Sequence, residues 1–233
     1  GTECVFVAKS GSSSTDEDQQ SSNLVVVIKD GRLIDAPVQG VGYRSGTLAG
    51  VTGAEGEFQY RDGEQVEFFI GDITLGQPVT GKAVITPLDL VPQGHLDSPA
   101  VINIARLLQS LDAVPGDTRI TIPATVRSAA VRSGDTLASA IRFLDFADDA
   151  AFANSAAQLV ATLTAAYPFT AVLVDKQTAR LHHEMAERER LRDRAEKQSE
   201  DRAADEMRAR EQELQRVREQ LEREVAEAQR RAE

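Results

Sequence analysis

The residues best suited to chemistry are few. His95, His182 and His183 are the only histidines, and Cys4 is the only cysteine. One cysteine excludes an internal disulfide and leaves either pairing with another chain or an inert thiol. His183 and Glu187 stand one helical turn apart, a spacing that holds a metal only when further ligands come from elsewhere. His183-Glu184-x-x-Glu187 lacks the second histidine of a zinc-protease helix. The histidines therefore read as ordinary helix-surface residues, with His95 following Gly94 in a loop. Asp16-Glu17-Asp18 and Asp148-Asp149 lack the alternating oxygen ligands and central glycine of a calcium loop. The second pair reads better as negative charge at the positive end of a helix dipole. Gly40-x-Gly42 has no helix start behind it and reads as a strand turn rather than a phosphate cradle. There is no Gly-x-Ser-x-Gly elbow and no Cys–His arrangement. The expectation is a non-catalytic protein with no cofactor and no metal.

Apolar residues in unusual places carry more information. Leu214, Val217, Leu221, Ala228 and Ala232 keep near-heptad spacing, Met207 extends the stripe backward, and Val225 joins it. These are the candidates for helix association. Between Leu191 and Met207 the stripe fades to Ala195 and Ala203-Ala204, so a paired coiled coil, a solvated salt-bridged helix and a helix folded back on the body all remain open. At the other end, Val5, Phe6 and Val7 form an apolar patch cut off by the polar run Ser10–Ser22. That patch reads either as part of a disordered leader or as a strand donated to a neighbouring subunit.

The elements that must position these residues differ sharply along the chain. Every Gly lies at or before Gly134, the last Pro is Pro168 and the last aromatic is Phe169. Four segments follow: 1–22, a strand and Ser-rich tether; 23–92, a β-sandwich; 93–177, a helical domain; and 178–233, a long helix. Leu24-Val25-Val26-Val27-Ile28 ends at Asp30-Gly31, a hairpin-type pair. Phe58 and Tyr60 alternate with Glu57 and Gln59, Asp62-Gly63 marks a turn, and Val66, Phe68 and Ile70 share one face. Period-two alternation between turns predicts antiparallel strands with one buried face.

Ser98-Pro99 predicts a helix start. Further helices are expected over 124–132, 136–146 and 149–166, the last packing closely through Ala150, Ala153, Ala157 and Ala161. From near Val174 the chain reads as one continuous helix. Glu184→Arg188, Glu206→Arg210, Glu219→Arg223 and Glu227→Arg231 sit at the favourable i,i+4 spacing, each worth roughly 0.2–0.5 kcal/mol.

Charge narrows the partners. The net charge is −11, and 178–233 holds 14 basic against 16 acidic residues, so most of the excess lies in the body. An acidic body repels nucleic-acid phosphates and anionic headgroups. No nucleic acid is expected as a partner, and no apolar run is long enough to span a membrane. The chain opens on Gly1, which suits either a processed export signal or a cloning remnant. Glu3 before Cys4 argues against lipidation there.

The stretch Gly42-Tyr43-Arg44-Ser45-Gly46-Thr47-Leu48-Ala49-Gly50-Val51-Thr52, followed by Gly56-Glu57-Phe58-Gln59-Tyr60 and Gly63 to Asp72, resembles the prealbumin-like (carboxypeptidase-regulatory-like) β-sandwich modules of bacterial surface and secreted proteins. Thr86-Pro87-Leu88-Asp89-Leu90, Asn103 to Asp112 and Ala179-Arg180-Leu181-His182 resemble the continuation of that module in bacterial envelope lipoproteins and exported proteins. The likeness covers roughly 24–184 and excludes the charged helix 185–233. It implies an α+β chain: an antiparallel, transthyretin-like β-sandwich, then a small helical domain and a long charged C-terminal helix. It also implies export to the periplasm, outer membrane or exterior, and a structural or adhesive role. The partners expected are further copies of the chain, as in a filament, or another envelope protein. The competing reading is a module that binds carbohydrate or peptide, with Tyr43 or Tyr60 as sugar-stacking platforms.

Overall fold

The computed structural model describes residues 4–6, 26–131 and 135–232. The Ser10–Ser22 tether, Asp16-Glu17-Asp18 and Val7 lie outside them. The chain is mixed α+β, with mostly antiparallel strands first and helices after. Its elements are β1 (Cys4–Phe6), β2 (Val26–Leu33), β3 (Val38–Gln39), β4 (Gly42–Ser45), β5 (Leu48–Val51), β6 (Glu57–Arg61), β7 (Gln65–Ile70), β8 (Ile73–Thr74), β9 (Val79–Thr80) and β10 (Val84–Ile85). Then come α1 (Pro99–Ser110), β11 (Ile120–Thr121), α2 (Ala124–Ala129), α3 (Asp135–Arg142), α4 (Asp149–Leu163) and α5 (Lys176–Ala232). Two compact units divide the chain, residues 1–186 and residues 187–233.

In the first unit, β2 is the centre of one sheet. It pairs antiparallel with β6 from Ile28↔Arg61 to Arg32↔Glu57, antiparallel with β1 at residues 26–28, and parallel with β10 at Arg32 and Leu33. A second sheet runs β5-β4-β7-β8, with β9 also on β7. The alternation predicted from sequence holds on β6 and β7: Phe58, Tyr60, Val66, Phe68 and Ile70 are buried, while Glu57, Gln59 and Gln65 are exposed. Phe58 is the aromatic hub. Its ring lies 5.0 Å from Phe68 in a T-shaped contact and within 5.9 Å of both Tyr43 and Tyr60, so rings from both sheets meet. Burying each such side chain stabilises by roughly 1.5–3 kcal/mol.

Asp30-Gly31 is not a turn. The strand runs on to Leu33 and reverses at Asp35-Ala36, between the bridged Ile34 and Pro37. Gly31 is glycine because a Cβ there would stand 2.5 Å from the Phe58 ring. Gly56, by contrast, is a turn glycine, with φ +76° and the Leu33 carbonyl 2.4 Å from where a Cβ would sit.

The helical part shares the core of the sheets. A single cluster joins Leu33, Tyr43, Phe58 and Ile70 to Leu107, Leu111, Phe152 and Leu163. The parallel pairing of β11 with β3 (Ile120↔Val38) stitches the later chain to the earlier. The boundary drawn at 92/93 therefore does not separate two cores. α1 starts at Pro99 behind Ser98, as expected, although the Ser98 hydroxyl accepts from the His95 amide instead of capping the helix. α2 and α3 stop shorter than predicted, at Ala129 and Arg142. α4 is capped by Asp148, which accepts from the Ala150 and Ala151 amides. It packs through Phe152, Ala156, Leu159, Val160 and Leu163, whereas Ala150, Ala157 and Ala161 face solvent.

The second unit, residues 187–233, is the remainder of α5. At 1.5 Å per residue it runs roughly 70 Å. It contains no Gly or Pro, and strong helix formers dominate.

Candidate functional site

Most polar side chains of α1 have tertiary partners. Asn103 donates to the Phe146 carbonyl and to Asp149. Arg106, only 7% exposed, donates to the Val174 carbonyl and to Asn103 and lies 5.2 Å from the centre of the Phe152 ring. Burial holds its guanidinium below the usual arginine range, partly offset by Asp149 and Asp175. Ser110 accepts from the Val174 amide. Asp149 also takes a short bond from Lys176, which together with Asn103 holds its carboxyl below the usual range. This one helix thus fastens α4 and the approach to α5.

The remaining polar residue of that face leads to the most enclosed ionisable group. Gln109 donates to Asp35 at 2.9 Å and meets His182 at 3.2 Å. Asp35 has no exposed surface, and its other oxygen stands 2.7 Å from Nδ1 of His183. His183 is therefore not a surface histidine: it is 1% exposed and pinned to the β2–β3 turn. His182 and His95 do lie at the surface.

An aspartate on Nδ1 is how an imidazole is oriented for base catalysis. Here Nε2 of His183 is buried and has no hydrogen-bond partner among the described residues. Among the described residues no group of three or more His, Cys, Asp and Glu could hold a metal. The arrangement joins α5 to the β2–β3 turn. Sequence reasoning missed it because the partners are 148 residues apart and neither belongs to a motif.

The association residues stand out differently. From Leu191 onward every described side chain of α5 is exposed. Met207, Leu214, Val217, Leu221 and Val225 are between 51% and 69% exposed. Exposed singly, such residues are unremarkable; here they share one face of the helix. Two of the four predicted i,i+4 pairs close, Glu219–Arg223 at 4.0 Å and Glu227–Arg231 at 3.7 Å. Glu184 turns back to Arg180 instead, and Arg210 closes no ion pair with another described residue.

Val5 and Phe6 belong to β1, whose backbone pairs with Val26–Val27 of its own chain. The donation candidates thus occupy the edge of β2 that a neighbour's strand would use. Tyr43 and Tyr60 are 8% and 5% exposed and belong to the aromatic core, so neither is a stacking platform.

One groove of about 650 Å³ opens in the first unit, lined by Leu90, Val91, Ile104, Phe143, Leu144 and Phe146 among others. Phe143 is 63% exposed, with the Arg142 guanidinium 5.7 Å from its ring centre. Among the described residues no helix is long and apolar enough to cross a membrane.

No family model, curated protein or solved structure matches the chain.

Proposed function

We propose that this is a non-catalytic structural protein of the bacterial envelope or exterior, assembling through its terminal helix. The observation that carries the reading is the run of Met207, Leu214, Val217, Leu221 and Val225, each more than half exposed, on a helix rich in charge that also exposes Leu181, Met185 and Leu191. Covering one leucine removes roughly 1.5–3 kcal/mol of exposed apolar cost. A helix that repeats such residues on one face is built to be covered. The β-rich region is read as a transthyretin-like sandwich, in keeping with the resemblance of residues 24–184 to exported modules, and export follows from the same resemblance. In this reading the first unit is a rigid body and the second a connecting arm. Donation of β1 to a neighbour is a second route to assembly.

Light scattering on the full chain and on chains lacking 1–22 or 186–233 tests the reading. The full chain is expected to be oligomeric, and loss of 186–233 to leave a monomer. A full chain that stays at 25.2 kDa at every concentration removes the proposal.

The groove beside Phe143 favours a second reading, a module that binds peptide or carbohydrate. With Tyr43 and Tyr60 in the core, Phe143 is the aromatic such a ligand would stack on. Phe143→Ala is then expected to abolish retention on a glycan or peptide array, and an array without binders sinks this alternative.

A further inference from the structure

Resting on the reading that β1 is donated, we propose that its receptor is the edge of β2 at residues 26–28 in a second copy, vacated as that copy gives up its own β1. Backbone pairing defines the seat. Ile28 pairs with Arg61 of β6 on one side and with Cys4 of β1 on the other. Arg32 pairs with Glu57 of β6 on one side and with Val84 of β10 on the other. β1 and β10 therefore lie along the same edge of β2, one at its start and one at its end. Among the described residues nothing but β1 pairs with that edge at residues 26–28. Emptied, it would present unpaired amides and carbonyls, the kind of edge that captures another strand. Val26, Val27 and Ile28 are uncharged, β-branched and half-buried, so what they accept is an extended apolar segment.

The length of the connection favours exchange. Three residue pairs close β1 onto its own chain across 19 intervening residues, whereas hairpin loops usually have about 2–5. Against a two-residue turn, so long a connection lowers the concentration of the strand at its own seat by about thirtyfold. Fully extended, it reaches roughly 65 Å, enough to place β1 on an adjacent molecule. A second copy offers the same backbone register, so exchange breaks and makes identical pairs and loses only the advantage of tethering. Reciprocal exchange closes a dimer. Exchange passed from copy to copy leaves free ends, as a filament requires.

Cys4 supplies the test. Its partner in the register is Ile28, so Ile28→Cys in the full chain sets the only two thiols opposite each other, whichever copy provides β1. Oxidised glutathione is expected to join Cys4 to position 28, increasingly between chains as protein concentration rises. The products are then multiples of 25.2 kDa, with the link mapped by peptide mass spectrometry. Position 27 faces the other side of the sheet, so Val27→Cys is expected to link at least about tenfold less. A check without new thiols uses a synthetic peptide of residues 1–9. It is expected to bind the chain lacking 1–9, whose seat is empty, at least about tenfold more tightly than the full chain.

Links confined to single chains at every concentration, in a protein that light scattering shows to be assembled, overturn exchange and leave assembly through the arm intact. Equal linking at positions 27 and 28, no linking at either, or a peptide without preference for the truncated chain overturns the seat itself. A chain monomeric throughout, linking only internally, overturns exchange and assembly together.

Discussion

Asp35 faces Nδ1 of His183 and accepts from Gln109 without exposing any surface, so removing its carboxylate strands buried polar atoms on two helices. Asp35→Ala is expected to cost about 3 kcal/mol, the scale of breaking a buried pair from one side, measured by urea unfolding. Asp35→Asn, which keeps one acceptor, should cost less. Tyr167 offers a pH probe. Its hydroxyl donates to the Leu111 carbonyl at 2.6 Å, and burial pushes its pKa up from 10.0 to about 12. Because the folded value is raised, the contribution of the neutral phenol is complete below pH 10 and lost as pH climbs through about 12. The stability gap between wild type and Tyr167→Phe is therefore expected near about 1 kcal/mol at neutral pH, closing between those limits. Gly31→Val would drive a side chain into the Phe58 ring and is expected to cost about 1–3 kcal/mol. The buried face of Phe58, Tyr60, Val66, Phe68 and Ile70 was legible because period two is a local signal. Gly31 was not, since Asp-Gly marks a hairpin and a ring's clearance on the next strand with the same two letters.

Elements were legible in type and less so in extent. Pro99 and Asp148 announce the starts of α1 and α4 through local backbone chemistry, so those limits agree. α3 ends at Arg142, short of the predicted 146, because Phe143 to Phe146 serve the groove and the Asn103 bond rather than the helix. The contact face of α4 eluded the alanine pattern: small residues permit close approach, but the large ones decide where it happens. α5 was read correctly as continuous, since nothing along it breaks a helix. Its exposed pairs, such as Arg208–Asp205 at 3.2 Å and Arg218–Glu222 at 3.2 Å, are screened by salt. If they carry the arm's helicity, 1 M NaCl should lower its far-ultraviolet signal. If the apolar seam carries it, the signal should hold and instead fall on dilution. The apolar stripe was visible in sequence because its spacing is a local signal, and in the structure those side chains are exposed.

At the scale of the molecule, Leu33, Phe58, Leu107 and Phe152 belong to one cluster, and β11 pairs with β3 across the earlier boundary. Residues 23–177 are therefore expected to melt in one transition, with equal calorimetric and van't Hoff enthalpies. Two separate transitions would show that the sheets and helices are independent. The first unit has its own core, so deleting 187–233 should leave that transition within a few degrees of its original midpoint.

The Asp35–His183 bond has a meaning in time as well as in space. Its two ends are 148 residues apart, and synthesis proceeds at about 5–20 residues per second. Asp35 thus leaves the ribosome roughly 7–30 s before the histidine that completes its burial exists. Throughout that interval the Asp35–His183 contact cannot form, and folding to the final state has to wait.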